Sequence, residues 1–307
     1  MLHDPDRSTT YLSRTTTRTY RILHMSDIHI TADGHDAEGV DADASLRQML
    51  QDLEGVEALD GIVVSGDLAD DGSIDAYSVV LERIGAFAGD RGIPQIYAMG
   101  NHDDRVNFQT VLGSGHLSSA GRDIGTARDG QERAAVSHIG GLRVVTLDSL
   151  VPGDVYGQLT QHQLSWLSSV LATPAPDGSI VVLHHPPLDL PTHPLGPTVL
   201  RNRDELGEVL AGSDVLVVLC GHLHMQIAGS LAGVPVVASP GVVTRIDLTA
   251  PWHLLRGVLG AGATIVDLGG PSSPVSYVLH ARDPEAGSQV YLYDIPEQRF
   301  LEKRYHG

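Results

Sequence analysis

Short apolar runs of strand length punctuate the chain at Tyr20–Met25, 61–65, 95–99, 142–147, 180–183, 215–219 and Val234–Ala238. Most are bounded by Gly, Pro or Asp, residues that end strands and open turns. Between the first two runs, Leu46, Met49, Leu50 and Leu53 recur at helical spacing within 43–58, which predicts an amphipathic helix lying on the strands. Val79, Val80, Ile84 and Phe87 form a second helical stripe over 73–88. The opening therefore reads β-α-β-α-β. Gly140-Gly141, between the segments 133–139 and 142–147, predicts a hairpin. Thr160 is placed to cap a helix reaching Leu171, and Arg203–Leu210 reads as a short helix ahead of the 215–219 strand. Segment 273–294 reads as a second hairpin turning at Asp283-Pro284-Glu285-Ala286-Gly287. Over 251–270, Trp252, Leu254, Leu255, Val258 and Leu259 are expected to form a packed helix, a dimer contact or a lid being the other readings. These elements predict a layered α/β sandwich in one domain, with no internal repeat.

Composition narrows the partners. The chain has 307 residues, of which 42% are hydrophobic, ample for a sizeable core. Its formal net charge of −18 argues against a surface that neutralises many phosphates, so polymeric nucleic acid is not expected. Cys220 is the only cysteine, which excludes an intrachain disulfide and a cysteine-rich zinc module and fits a reducing, cytoplasmic setting. Residues 1–19 are rich in Thr and Arg without an apolar centre, and are expected to be a flexible arm rather than a signal peptide. No run approaches the roughly 18–20 apolar residues that span a bilayer.

Residues of metal-ligand type gather where the predicted strands end. Ser26-Asp27-Ile28-His29, Gly66-Asp67, Gly100-Asn101-His102-Asp103, His184-His185-Pro186 and Cys220-Gly221-His222-Leu223-His224 each follow an apolar run. Open α/β sheets place ligands at that end. Asp27 and His29 are two apart, as are His222 and His224, so in extended backbone each pair projects to one side. A carboxylate such as Asp67 can bridge two cations, while imidazoles and the Asn101 carbonyl complete an N/O shell suited to Mn, Fe, Zn or Co. Singly, each motif has a plain structural reading: Gly-Asn-His-Asp as an Asx turn, the Asp67-Asp70-Asp71 cluster as helix caps. Their order and recurrence at successive strand ends favour a metal centre.

In this order the blocks resemble the signature motifs of the calcineurin-like metallophosphoesterases, over about residues 20–240. His-Met-Ser-Asp-Ile-His, Gly-Asn-His-Asp and Leu-His-His-Pro-Pro are most similar to the bacterial class III cyclic-nucleotide phosphodiesterases. The resemblance implies a four-layer α-β-β-α sandwich over 20–300, with its metal site at the C-terminal ends of the strands and a C-terminal extension at about 250–300. It implies two ions, Mn or Fe favoured over Zn or Co: one on Asp27, His29, Asp67 and His224, the other on Asp67, Asn101, His184 and His222. His185 then stands behind the ligands, and Asp71 is solvated or caps a helix. Asn101 and His102 would bind substrate, His102 also protonating the leaving group and Asp70 orienting its ring. The implied reaction is in-line attack of a bridging hydroxide on a small phosphodiester, best a 3′,5′-cyclic nucleotide such as cyclic AMP. A glycerophosphodiesterase, a broad phosphomonoesterase and a non-catalytic scaffold are the alternatives. Purple acid phosphatases are disfavoured because the position of their metal-bound Tyr holds Asp70. Loops 113–130 and 188–203 are expected to shape the substrate pocket, and a homodimer is possible.

Overall fold

The computed structural model describes residues 18–304, so the predicted N-terminal arm lies outside the described residues apart from Arg18 and Thr19. The β-α-β-α-β opening forms as β1 (Tyr20–Met25), α1 (Ala42–Asp52), β2 (Gly61–Val64), α2 (Ile74–Arg91) and β3 (Gln95–Tyr97). Each helix begins at a side-chain cap, Asp41 for α1 and Ser73 for α2. Helix α2 outruns its predicted end and stops where Gly92 turns left-handed at φ 67°, a conformation glycine adopts without a Cβ clash. After it come α3 (Arg105–Leu112), β4 (His116–Leu117), β5 (Thr126–Ala127), β6 (Ala135–Ile139) and β7 (Leu142–Thr146). Next are α4 (Gln161–Leu171), β8 (Ser179–Val182), α5 (Arg203–Leu210), β9 (Val215–Cys220), β10 (Ile227–Leu231) and β11 (Val234–Ala238). Thr160 caps α4 as expected, and β6 and β7 form the expected antiparallel hairpin.

Two sheets stack face to face. The second runs β10-β11-β9-β8-β7-β6-β5, and the first contains β1-β2-β3-β4 in that order. Alternation along β1 shows how the layers form. Leu23 and Met25 pack with Leu46 and Met49 of α1 and with Val80 and Ile84 of α2, whereas Tyr20 and Ile22 point the other way, onto Val144, Val182 and Val217 of the second sheet. On that sheet's far face, Val145, Val181 and Val218 meet Leu164, Leu167, Leu206 and Leu210 of α4 and α5. Three apolar layers thus separate α, β, β and α, the four-layer sandwich.

The last part of the chain departs from its local pattern. Segment 251–270 is not a helix; it carries β13 (Leu254–Val258), which follows β12 (Arg245–Ile246), and β14 (Gly262–Leu268). Strand β14 pairs antiparallel with β1 from Tyr20↔Leu268 to His24↔Thr264, and β13 pairs antiparallel with a later strand from Leu254↔Asp294 to Val258↔Gln289; the β13 bonds override the helix-like spacing of Leu254, Leu255 and Val258. The 273–294 hairpin is also corrected. A turn does form near Asp283, where the Ala286 N–H donates to the Asp283 carbonyl at 3.1 Å. Its two flanks join different sheets: β15 (Val275–His280) pairs with β14 at the edge of the first sheet, and β16 (Gln289–Asp294) pairs with β13. With β17 (Arg299–Lys303) these make a small third sheet, β12-β13-β16-β17. Among the described residues no helix is long and apolar enough to cross a membrane.

Candidate metal centre

The site lies in the loops that leave β1, β2, β3, β8 and β9. Asp27, His29, Asp67, His222 and His224 have φ of 55°, 53°, 49°, 71° and 50°, left-handed values that non-glycine residues adopt at a cost of about 1–3 kcal/mol each. Such strain persists only where the surroundings hold it. Here the Asp27 N–H donates to the Gly66 carbonyl at 3.1 Å, and the Ile28 and His29 N–H groups converge on the Asp67 carbonyl at 2.9 and 3.0 Å. The Gly221 N–H donates to the His184 carbonyl at 2.9 Å. Close approach also demands glycine: a Cβ on Gly100 would run into the Asp67 carboxylate, and one on Gly221 into the side chains of Ser26 and Asp27.

These loops gather two donor clusters. Ligand-type atoms of Asp27, His29 and His224 lie within 4.8 Å of one another, as do those of Asp67, His184 and His222. His29, Asp67 and His102 form an overlapping group. Asp67 sits between the clusters, its Oδ2 3.0 Å from His184 Nε2 and 3.6 Å from His29 Nε2. His224 Nε2 is 3.4 Å from Asp27 Oδ1. The Nδ1 atoms are anchored elsewhere: His29 on Asp70 Oδ1 at 2.8 Å, His184 on the Ser65 carbonyl at 2.9 Å, His224 on Thr244 Oγ1 at 2.8 Å. Anchoring Nδ1 fixes each ring so that Nε2 faces the cluster, the usual support for a metal-bound imidazole.

The donor set fits cations. His29 Nε2 and Asn101 Oδ1 are buried and make no hydrogen bond, a desolvation cost that a cation offsets by taking their lone pairs. Burial opposes charge on Asp67, but His184, His102 and His29 outweigh it and hold the carboxyl well below its ordinary range. Burial is the main cause that pushes His222 down to about 3 and His224 to about 4, leaving both imidazoles neutral and able to ligate. Burial also works against charge on His184 and His102, yet Asp67 and Asp70 prevail and push them up to about 9 and about 10. The negative potential that stabilises those protons attracts metal cations equally.

Residues 20–226 match the family model described as calcineurin-like phosphoesterase. This chain belongs to the calcineurin-like phosphoesterase family. It is 38% identical to a probable cyclic nucleotide phosphodiesterase of Rhodococcus erythropolis, over 78% of this chain and 76% of that protein. It is equally 38% identical to the cAMP/cGMP dual specificity phosphodiesterase MT0825 of Mycobacterium tuberculosis, over 79% and 73%. Among solved structures, GAP50, the anchor in the inner membrane complex of Plasmodium, aligns at TM-score 0.50 over 93% of this chain and 90% of that one. At 12% identity this is a likeness of fold alone.

Within this phosphoesterase site every ligand-type residue singled out by sequence except Asp71 lies at the two clusters or against them. His102 is exposed along one side; its ring stands 4.6 Å from that of His29, and its backbone N–H donates to Asp67 Oδ1 at 2.9 Å. Asp70 reaches two rings: its Oδ1 lies 3.0 Å from His102 Nδ1 and 2.8 Å from His29 Nδ1. His185 packs behind, its ring 4.4 Å from that of His222 and its Nδ1 bonded to Ser149 Oγ at 2.8 Å. Asp71 caps no helix. It is exposed and braces the loop by accepting the Ala32 and Ser73 N–H groups, while Ser73 caps α2. Two supporting residues escaped sequence reasoning. Asp103 accepts the N–H groups of Leu68, Ala69 and Gly100 and the Tyr77 hydroxyl, clipping the Asp67 loop to the Asn101 loop. Its position beside Asn101 and His102 was the available signal. Thr244, which anchors His224, had none. Loop 188–203 reaches the cavity over the site through Pro194, Leu195 and Thr198, whereas Gly113, Asp123 and Arg128 of loop 113–130 line a separate hollow.

Proposed function

We propose that this chain is a metal-dependent phosphodiesterase that hydrolyses 3′,5′-cyclic nucleotides. The observation that carries the reading is the pair of donor clusters that flank the buried carboxylate of Asp67, with His102 at their edge. Asp27, His29, Asp67 and His224 would hold one divalent ion, and Asp67, Asn101, His184 and His222 the other; the N/O donor set suits Mn, Fe, Zn or Co, and the resemblance of the motifs favours Mn or Fe. Bound there, the two ions would supply Lewis acidity toward water and the phosphoryl oxygens. The chain's own residues supply the rest. Asp67, left-handed like the backbones of Asp27, His29, His222 and His224 around it, fixes the spacing of the two clusters before substrate arrives. Asn101 and His102 line the cavity next to Asp67, within reach of a phosphoryl oxygen. His102 Nδ1 is committed to Asp70, so Nε2 is the atom free to donate a proton. Its target is the departing O3′, which otherwise leaves as a poorly stabilised alkoxide. Asp70 keeps that ring charged and aimed.

The relatives favour a small cyclic diester: three further proteins named as 3′,5′-cyclic AMP phosphodiesterases, from Escherichia coli and Haemophilus influenzae, share 31–32% identity, against 27% for a glycerophosphodiester phosphodiesterase of Enterobacter lignolyticus. A test is a substrate panel on purified protein reconstituted with Mn or Fe: cyclic AMP, cyclic GMP, glycerophosphocholine and p-nitrophenyl phosphate. The highest kcat/KM is expected on a cyclic nucleotide. Preference for glycerophosphocholine or the monoester would overturn the assignment.

A further inference from the structure

The cavity over the donor clusters, about 490 Å³, is lined by ligand-type residues on one side and by an apolar, aromatic wall on the other. That wall is one face of the third sheet and belongs to no signature motif. Alternate residues of a strand share a face, so Tyr291 and Tyr293 lie together on β16. Register sets Gly257 opposite Tyr291 and Leu255 opposite Tyr293. Leu255, Tyr291, Tyr293 and Ile295 all reach the cavity. Gly257 is required for this arrangement, because a Cβ there would strike the Tyr291 ring. Tyr293 is buttressed from the next strand by Phe300, edge-on at 5.1 Å and 71°. Beyond β16 the turn ends at Gln298, left-handed at φ 50°; Gln298 also borders the cavity, and its carboxamide offers both a donor and an acceptor.

A phosphate or glycerol headgroup would use the ligand-type side and leave this wall empty. A flat aromatic group, attached to the phosphate through a sugar, uses both, and the volume falls within the roughly 300–1,000 Å³ of small-molecule sites. We propose that the C-terminal sheet is the base-recognition wall: Tyr293 stacks on the purine of a cyclic nucleotide and Gln298 hydrogen-bonds the edge of the base. The inference rests on the phosphodiesterase reading and adds the residues that select the substrate.

The decisive comparison uses cyclic AMP and the base-free ribose 3′,5′-cyclic phosphate. Base–aromatic stacking contributes about 1–3 kcal/mol, so Tyr293→Ala should cut the preference for cyclic AMP, as a ratio of kcat/KM values, by about 5- to 150-fold. Tyr293→Phe should retain it. Gln298→Ala should reduce discrimination between cyclic AMP and cyclic GMP. Calorimetry gives a readout independent of turnover: wild-type protein should bind adenosine 5′-monophosphate more tightly than ribose 5-phosphate, and Tyr293→Ala should close that gap. Thermal melting verifies that each variant is folded; should Tyr293→Ala fail to fold, Tyr293→Leu, which keeps the apolar volume without the ring, takes its place. Equal losses on both cyclic phosphates, or no loss, overturn the base wall while leaving the enzyme assignment intact. Failure of the wild-type protein to hydrolyse either cyclic phosphate overturns the phosphodiesterase reading and this inference with it.

Discussion

Replacing Asp70 by Asn tests whether one carboxylate serves both the donor cluster and the proton donor. Oδ1 of Asp70 faces two imidazole Nδ1 atoms, His29 at 2.8 Å and His102 at 3.0 Å, while Oδ2 accepts the Ala37 N–H at 3.0 Å. An amide has one acceptor oxygen and one NH₂. If the oxygen faces the histidines, the NH₂ meets the Ala37 N–H; if it faces Ala37, the NH₂ meets two ring N–H groups. Either way a donor confronts a donor and the charge is gone. Hydrogen bonds to charged groups contribute about 1.5–3 kcal/mol against about 1 for neutral ones, and loss of a residue that orients a metal ligand costs about 10- to 100-fold in metal affinity. Asp70→Asn should therefore weaken one metal site by about 10- to 100-fold, the range found for lost orienting partners, and lower turnover even when metal is saturating. Metal affinity is read by chelator competition and turnover by single-substrate kinetics. The double variant with His102→Ala separates the two roles: if Asp70 acts through His29 as well, the change to Asn still lowers metal affinity when His102 is absent. Unchanged metal affinity in both backgrounds would refute the dual role and reduce Asp70 to a partner of His102 alone.

His102→Ala should leave metal content nearly unchanged and slow cyclic AMP hydrolysis on the order of 10²-fold, with a smaller loss on bis(p-nitrophenyl) phosphate, whose leaving group needs no proton; equal losses would point to phosphate positioning instead. Asp67→Ala should abolish activity and lower occupancy of both metal sites, whereas Asp27→Ala should mainly weaken one; two tightly held ions in the Asp67 variant, counted by elemental analysis, would rule out its shared role. Acid should destabilise the fold through two histidines outside the site. His24 and His116 are fully buried, and burial pushes each down to about 3. Below the ordinary value near 6.5 the unfolded chain takes up protons that the folded chain refuses, so stability is complete above that pH and falls toward pH 3, by up to ~1.4 kcal/mol per pH unit for each histidine. Urea midpoints of metal-stripped protein between about pH 7 and 5 should show this fall, and His116→Gln should lessen its slope; an unaltered slope would exclude His116.

The residues of the two clusters were legible in the sequence as residues that close apolar runs, whereas the extended backbone expected for Asp27 with His29 and for His222 with His224 did not form, since all four are left-handed. Asp27 with His29 and His222 with His224 need only a strand that ends, and the apolar runs before them mark where the strands end. A layered α/β sandwich was equally legible, since period-2 and period-3.6 patterns record which faces are buried; its four-layer order was implied by the family resemblance. What the sequence did not carry was pairing between distant segments. Leu254, Leu255, Val258 and Leu259 fit a helical stripe as well as a strand, and hydrogen bonding of β13 to β16 decided between them. Asp283 begins a turn visible in the sequence, yet its flanks separate because each finds a better partner in another sheet. Tyr291 and Tyr293 come to face the Asp67 cluster through register with Gly257 and Leu255. That placement depends on strand pairing between segments more than thirty residues apart, as in Gly257↔Tyr291 and Leu255↔Tyr293, and short-range periodicity holds no record of it.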